Sequence, residues 1–235
     1  MKDKPRLLTI LDIISALMVL TAAGFVFFYA PVEVSMGLVQ KVFYFHVATA
    51  WVGMLGFIVA ALAGIFYLVK GKEIWDITGF SAVEISLVFF LVAIVLGSIW
   101  ARPAWNTWWT WEPRLTTAAI VEIIFAAYLL LRQGVDDPEK RARFSAIYAI
   151  FGSLSVPITW VAIRVLRTIH PVVIGTAEAA SQGGFSMDSA MKLTFFFSLA
   201  AFSVFFADLL WHRIRLGKLQ TKVNAMRIEA FSKEM

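Results

Sequence analysis

Six long apolar runs constrain the fold of this chain more than any other feature of its sequence. They cover residues 7–29, 42–69, 80–99, 115–131, 144–165 and 193–211. An α-helix of about 20 apolar residues crosses the hydrocarbon core of a bilayer. Because 60% of the 235 residues are hydrophobic and 16% are charged, the composition excludes a water-soluble domain with one hidden core. The sequence predicts an all-α, polytopic membrane protein with six transmembrane helices.

The positions of lysine and arginine predict how these helices are oriented, since cytoplasmic flanks accumulate both residues. With the N-terminus placed inside, the inner segments hold 15 of the 21 lysines and arginines, and the outer segments hold 6. The sequence therefore predicts an N-in, C-in topology. The inner flanks also account for the net charge of +5 without a nucleic-acid partner. The first run exceeds the roughly 7–15 residues of a signal-peptide core, so the first helix is expected to be retained.

Residues 1–235 are expected to form a single membrane domain, because no repeat or composition shift divides them. Gly56, Ala60 and Gly64 lie four residues apart on the second predicted helix and form a smooth stripe. Such stripes favour close helix packing, here within the bundle rather than against a partner subunit. Residues 213–235 form a basic, amphipathic tail, expected to lie at the cytoplasmic surface against anionic lipid.

Two absences limit the chemistry open to the chain. Cysteine is absent, which excludes disulfides, thiolate metal ligands and covalent haem attachment through a Cys-x-x-Cys-His motif. A Walker-type phosphate loop is absent too, because Phe66 and His212 stand where its first glycine would be required. Any use of ATP would therefore require a partner.

The connection between the third and fourth runs concentrates aromatic residues. Residues 100–114 carry five of the nine tryptophans, Trp100, Trp105, Trp108, Trp109 and Trp111. Pro103 suits the first turn of a helix, and Pro113 disfavours helical dihedrals at the preceding residue, so a short helix of about two turns is predicted between them. It would be amphipathic, with Trp105, Trp108 and Trp109 on one face, and would lie along the outer surface of the membrane.

Two interpretations fit this tryptophan loop. An aromatic belt explains one or two tryptophans at each membrane surface. Five tryptophans between residues 100 and 111 exceed that number. The excess favours a site for a flat hydrophobic ligand, because pockets for such ligands are lined mainly by aromatic and apolar side chains.

Two of the three histidines are predicted on the same side as the tryptophans. His46 lies at the outer start of the second helix, and His170 lies just beyond the fifth. Neutral imidazole is a common iron ligand, and two imidazoles from separate segments could bind opposite faces of a porphyrin. Each histidine taken singly is more often interfacial or hydrogen-bonded; their shared side with the tryptophans favours ligation. His212, at the inner end of the sixth helix, is interpreted as interfacial.

Several charged residues accompany these features. The outer arginines of interest are Arg102, Arg114, Arg164 and Arg167. Arginine binds carboxylates through a bidentate fork, so these side chains could hold haem propionates or Glu112, with lipid head groups as the alternative. Asp12 and Asp208 lie near inner helix ends, where snorkelling or pairing explains them. Glu84 and Glu122 lie deeper and leave open a path for protons or a solute.

The pattern Trp100-x4-Trp105-x2-Trp108-Trp109-x-Trp111-Glu112-x-Arg114 resembles the tryptophan-rich signature of the haem-handling proteins of cytochrome c maturation. Six helices, the chain length and the segments around His46 and His170 together resemble the CcmC branch of that superfamily, over nearly the whole chain. Two positions depart from the common signature. Glu112 replaces an aspartate, and Ala101 replaces a glycine, which leaves the contact of Glu112 open.

The resemblance implies a haem carrier of the bacterial cytoplasmic membrane rather than an enzyme. Haem b would bind transiently and non-covalently on the periplasmic face, with His46 and His170 as axial ligands and the tryptophan loop as its platform. The implied partners are a CcmE-type haem chaperone, the ATP-binding-cassette pair CcmA and CcmB, and a small CcmD-type subunit.

Two other functions remain open at this stage. The bundle could be a conduit, or a permease subunit of an ABC-type complex, that moves haem or another solute past Glu84 and Glu122. Alternatively, the tryptophans could bind a partner protein in an assembly subunit that holds no cofactor.

Overall fold

The structure, a computed structural model, describes residues 4–33, 37–166, 169–170 and 187–234. These residues are mostly helical. The helices are α1 (Arg6–Gly24), continued by a π-helical turn (Phe25–Tyr29), α2 (Gln40–Lys70), α3 (Glu73–Trp105), α4 (Pro113–Gln133), α5 (Pro138–Ser153), α6 (Ser155–Val165) and α7 (Ser189–Glu234).

Within the described residues, six helical segments are long and apolar enough to cross a membrane, with α5 and most of α6 together forming the fifth. The predicted six-helix architecture is confirmed. The helices extend beyond the apolar runs, because polar residues continue a helix once it leaves the hydrocarbon. At 1.5 Å per residue, the 46 residues of α7 span about 69 Å, more than twice the hydrocarbon thickness of about 30 Å. The basic tail therefore continues α7 up to Glu234 without a break.

Local signals start and stop these helices. Pro113 and Pro138 occupy the first turns of α4 and α5, where the missing N–H costs no hydrogen bond. Glu112 caps α4 through the Leu115 N–H, which donates to Glu112 Oε1 at 2.9 Å. At the C-terminal end of α2, Gly71 adopts a φ of 62°, the left-handed conformation that ends a helix.

Helix α2 packs against α3, α5 and α7 and forms the centre of the bundle. Its small-residue stripe lies inside, as predicted. A Cβ added at Gly56 would clash with Ser86 Oγ, and one added at Gly64 would lie 2.9 Å from the Ala146 carbonyl oxygen. The ring of Phe57 on α2 stacks on that of Phe125 on α4, with centroids 3.8 Å apart.

Ion pairs join the helices at the end of the bundle where α7 continues as the tail, here called the tail end. Arg132 makes a bidentate contact with Asp76, at 2.5 and 2.9 Å, which links α4 to α3. Arg213 lies 2.6 Å from Glu84 and links α7 to α3. Both guanidinium groups lie over Phe80, 4.5 and 5.2 Å from its ring centre. Glu84 is therefore part of a helix-joining ion pair.

A second polar cluster at the tail end joins α1 to α7. His212 Nε2 lies 2.7 Å from Asp12 Oδ1 and 3.7 Å from Asp208 Oδ1, and Lys4 also pairs with Asp12. Of the two explanations given for Asp12 and Asp208, snorkelling or pairing, the structure shows pairing. His212, interpreted from the sequence as interfacial, is about half exposed and holds Asp12.

Candidate functional site

The tryptophan loop lies at the opposite end of the bundle, here called the loop end. Its predicted short helix between Pro103 and Pro113 is wrong. Helix α3 instead continues through Pro103 to Trp105, and residues 106–112 have no regular secondary structure. Asn106 adopts a φ of 56°, and Arg102 donates from one nitrogen to the Asn106 carbonyl at 2.6 Å and to its Oδ1 at 3.0 Å. These contacts end α3 in the segment where the sequence pattern predicts that a separate short helix would begin.

The shared face predicted for Trp105, Trp108 and Trp109 is consequently absent, since Trp105 and Trp109 line a cavity that Trp108 does not. Trp100 is buried and packs edge-on against Trp105, with ring centroids 5.2 Å apart. Trp109 packs edge-on against Trp111 at 5.6 Å. Trp108 and Trp111 are 58% and 77% exposed, respectively. The loop therefore divides into tryptophans that face the protein and tryptophans that face outward.

A cavity opens between α2, α3, α4, α6 and the segment that carries His170. Small-molecule and cofactor sites are typically concave and lined mainly by apolar and aromatic side chains. Three tryptophans line it, Trp100, Trp105 and Trp109, together with both predicted histidines and Arg114. Most of its other lining residues are apolar, namely Phe43, Val47, Ala50, Met54, Phe90, Ala93, Ile94, Gly97, Leu115 and Ala118, joined by Ser98 and Thr159.

His46 is held in one orientation by α3. Its Nδ1 lies 2.8 Å from the Ala93 carbonyl oxygen, which can only accept a hydrogen bond, so Nδ1 carries the proton and donates. The lone pair is then on Nε2, which is therefore the nitrogen that could bind a metal. Gly97 provides the space, because a Cβ there would lie 2.9 Å from His46 Cε1.

His170 lies beside His46 in the same cavity, although the two are 124 positions apart in the chain. Their ring centroids are 6.4 Å apart, and the His170 ring packs edge-on against Trp105 at 6.1 Å. Metal–imidazole bonds of about 2 Å place two rings on opposite sides of one ion with centroids roughly 6 Å apart. Rotation about the metal–nitrogen bonds preserves that distance, so the 43° angle between the ring planes is compatible with it.

The other predicted site residues are divided between the cavity and its surroundings. Arg114, in the first turn of α4, lines the cavity, whereas Arg102 is engaged with Asn106 and lies 6.0 Å from the Trp108 ring centre. Glu112 caps α4, a role that aspartate also performs well. Arg167 and the side chain of Arg164 lie outside the described residues.

Sequence reasoning missed the small and apolar residues that shape the cavity. Ala50 and Met54 follow His46 at four-residue intervals along α2, and Ala93 and Gly97 lie four apart on α3. Residues at this spacing share one helix face. Following the face of α2 that carries His46 would have identified Ala50 and Met54 from the sequence. Ala93 and Gly97 on α3 could be identified only from their contact with His46 in the structure.

The fold and the site define a polytopic α-helical membrane protein whose loop end carries an aromatic cavity with two adjacent histidines. The family model described as CcmC, Heme exporter protein C, matches residues 2–229. Because the match covers nearly the whole chain, the chain belongs to the Heme exporter protein C family.

Individual relatives agree with this membership. The chain is 29% identical to Heme exporter protein C of Bradyrhizobium diazoefficiens over 88% of its own length and 79% of the relative. It is 27% identical to Heme exporter protein C of Escherichia coli K12, over 80% of this chain and 74% of that protein. A Marchantia polymorpha protein described as a cytochrome c biosynthesis ccmC-like mitochondrial protein is 27% identical, over 74% and 71% of the two lengths.

Proposed function

We propose that this protein takes part in haem export for cytochrome c maturation, as a haem-binding membrane protein rather than an enzyme. It binds haem b transiently and non-covalently in the loop-end cavity. His46 and His170 are the axial ligands of the iron. The loop end lies on the periplasmic side of the bacterial cytoplasmic membrane, where the haem is presented to a CcmE-type chaperone.

The observation that carries this proposal is the separation of the two imidazoles, 6.4 Å between centroids, inside an apolar cavity. An iron held between them would be coordinated on both sides without any cysteine. The hydrogen bond from His46 Nδ1 to the Ala93 carbonyl keeps Nε2 as the coordinating atom.

The cavity also offers polar groups for the carboxylates of haem. Arg114 supplies a guanidinium group, which suits a propionate through a bidentate contact. The indole Nε1 atoms of Trp100 and Trp109 are buried and have no hydrogen-bond partner among the described residues. Buried indole N–H groups usually find a partner, and a propionate oxygen would satisfy them.

The outward-facing tryptophans favour delivery to another protein. Trp108 and Trp111 belong to the loop that lines the cavity, yet their rings are mostly exposed. Exposed tryptophans are enriched at protein interfaces. We assign these two rings to the docking of the CcmE-type chaperone, next to the haem that it receives.

The orientation follows from charge, and the other partners follow from the family. The chain segments that leave the membrane at the tail end hold 15 of the 21 lysines and arginines. Cytoplasmic flanks accumulate these residues, which favours the tail end as cytoplasmic. The chain contains no Walker motif, so ATP-dependent steps are assigned to the CcmA and CcmB pair, with a small CcmD-type subunit in the same complex.

One observation favours a second candidate, a conduit or ABC-type permease subunit that moves haem or another solute. Glu122 lies on the face of α4 that carries Leu115 and Ala118 of the cavity, and its Oε2 is buried without a hydrogen-bond partner among the described residues. Intramembrane carboxylates often mark transport paths. Reconstituted vesicles test this candidate. It requires solute flux that is lost in Glu122→Gln, by this chain alone for a conduit, or with its ATP-binding-cassette partners and ATP for a permease subunit.

The visible spectrum of the purified protein tests the leading proposal. We expect a Soret band of a six-coordinate, low-spin haem, a shift towards high spin in His46→Ala or His170→Ala, and loss of the band in the double variant. His212→Ala is the matched control, because this histidine lies at the tail end with Asp12, and its spectrum should be unchanged. A double variant that keeps the wild-type band would refute the ligand assignment.

A further inference from the structure

A second concavity opens on the side of the bundle, between α2 and the α5–α6 pair. Its lining residues include Trp51, Met54, Ile58, Leu154, Pro157 and Trp160. All these residues belong to helices that are long and apolar enough to cross a membrane. This groove, here called the lateral groove, therefore faces lipid rather than water.

Met54 connects the lateral groove to the loop-end cavity, because its side chain lines both. It lies two helical turns from His46 on the same face of α2, a rise of about 12 Å. Trp160 Nε1 donates a hydrogen bond to Met54 Sδ at 3.3 Å, so the two side chains form the boundary between the two spaces. Methionine is unbranched and changes rotamer easily, which makes this boundary movable.

The wall of the groove opposite α2 is formed by α5 and α6, and the helix is interrupted between them. Helix α5 ends at Ser153 and α6 begins at Ser155. Pro157 has no N–H to donate to the Ser153 carbonyl, so the helical hydrogen bond expected at this position is missing. Helices bend most readily at such positions. A small bend here would widen the groove without disturbing the packing of α2 against α3.

The outer rim of the groove is apolar and open. Trp51, Ile58 and Leu154 are 37%, 42% and 57% exposed, respectively, and in a membrane their exposed surfaces would contact acyl chains. A flat, largely apolar porphyrin dissolved in the bilayer would meet a surface of matching chemistry. Because Met54 lines both the groove and the cavity, the two spaces are adjacent.

We propose that the lateral groove is a second, membrane-facing porphyrin site, through which haem passes from the bilayer into the loop-end cavity when the Met54–Trp160 contact opens. This inference rests on the proposed haem-binding function of the cavity and adds the route by which haem arrives. A lipid chain or a partner helix resident in the groove would be the competing occupants.

Blocking variants on both walls test the route. Ile58→Trp and Leu154→Trp each place a bulky ring at an exposed groove position. Ile65→Trp is the matched control, since Ile65 lies seven residues further along the same helix, is similarly exposed at 45%, and does not line the groove. Each variant is reconstituted in vesicles, and the Soret band is followed in time after haem is supplied either from the bilayer or from serum albumin on the loop-end side.

We expect both blocking variants to load bilayer haem about tenfold more slowly than the control, corresponding to a barrier about 1.4 kcal/mol higher. Loading from albumin and final occupancy should be unchanged, which also shows that the variants are folded. Loading of bilayer haem at the control rate by both variants would overturn the lateral route, as would equal slowing from both sources. If the unsubstituted protein takes up haem from neither source, the proposed function itself fails.

Discussion

Gly97 offers the sharpest test of how the cavity holds His46. Replacing it with alanine adds a Cβ at 2.9 Å from Cε1 and 3.1 Å from Nδ1 of the imidazole. The ring would have to retreat by roughly half an ångström to reach ordinary van der Waals separation. That movement disturbs the 2.8 Å hydrogen bond to the Ala93 carbonyl, which sets the orientation and tautomer of His46.

The expected loss can be worked from these contacts. Overpacking a well-packed site costs about 1–3 kcal/mol, and disturbing the group that orients a metal ligand typically costs about 10- to 100-fold in metal affinity. We therefore expect Gly97→Ala to weaken haem binding by about 10- to 100-fold. The global fold should persist, because the contact involves a side chain at the cavity wall and no helix backbone.

Haem titration followed at the Soret band measures this effect, with Gly79→Ala as the matched control. Gly79 lies on the same helix, and a Cβ there would meet its nearest neighbour, the Ala60 carbonyl oxygen, at an ordinary 3.5 Å. Both substitutions improve helix propensity by about 0.8–1 kcal/mol, so that contribution cancels. Equal haem affinities in the two variants would refute the assignment of His46 as a ligand held by α3.

Two further substitutions separate the roles of charged residues around the cavity. Arg114→Gln should weaken the binding of haem by about tenfold but leave the binding of the haem propionate diester unchanged. The reason is that only free carboxylates pair with the guanidinium group. Equal losses of affinity for both ligands would contradict a propionate contact. Glu112→Ala should destabilise α4 by about 1 kcal/mol through loss of its cap, while Glu112→Asp retains the cap. Thermal unfolding of both Glu112 variants, with haem titration in parallel, checks this. An unfolding midpoint of the aspartate variant as low as that of the alanine variant would argue against capping.

The capping geometry also explains why a glutamate can stand at position 112. The family signature places an aspartate here, and either carboxylate can accept the N–H at the start of α4. In this chain Glu112 Oε1 reaches the Leu115 N–H at 2.9 Å, so the longer side chain preserves the contact. The departure noted in the sequence is therefore structurally conservative.

Periodicity failed at the tryptophan loop for a definable reason. Pro113 correctly marks a change in backbone conformation, because Glu112 before it is extended with a ψ of 159°, whereas Pro103 lies inside α3. The end of α3, however, is decided by Asn106 in the left-handed region and by the bonds from Arg102 to Asn106. Such side-chain capping is specific to individual residues and leaves no repeat for a helical pattern to detect.

Glu84 illustrates a different limit of sequence reasoning. A carboxylate within an apolar run suggests a transport path, yet Arg213 from the sixth span lies 2.6 Å from it. The two residues are 129 positions apart, so their pairing depends on how α3 and α7 meet. Tertiary contact converts an apparent functional residue into part of a helix-joining ion pair.

The six long apolar helices could be predicted from the amino-acid sequence alone, because the length of an apolar run matches the thickness of a bilayer whatever surrounds it. The sequence also identified His46, His170 and the tryptophans as the residues with ligand chemistry. Helix packing determines which of these residues face one cavity and how far apart the imidazoles lie. It also brings Gly97 and Met54 to the walls of that cavity. These properties arise where helices distant in sequence pack together, and no local pattern along one chain segment specifies the register of that packing.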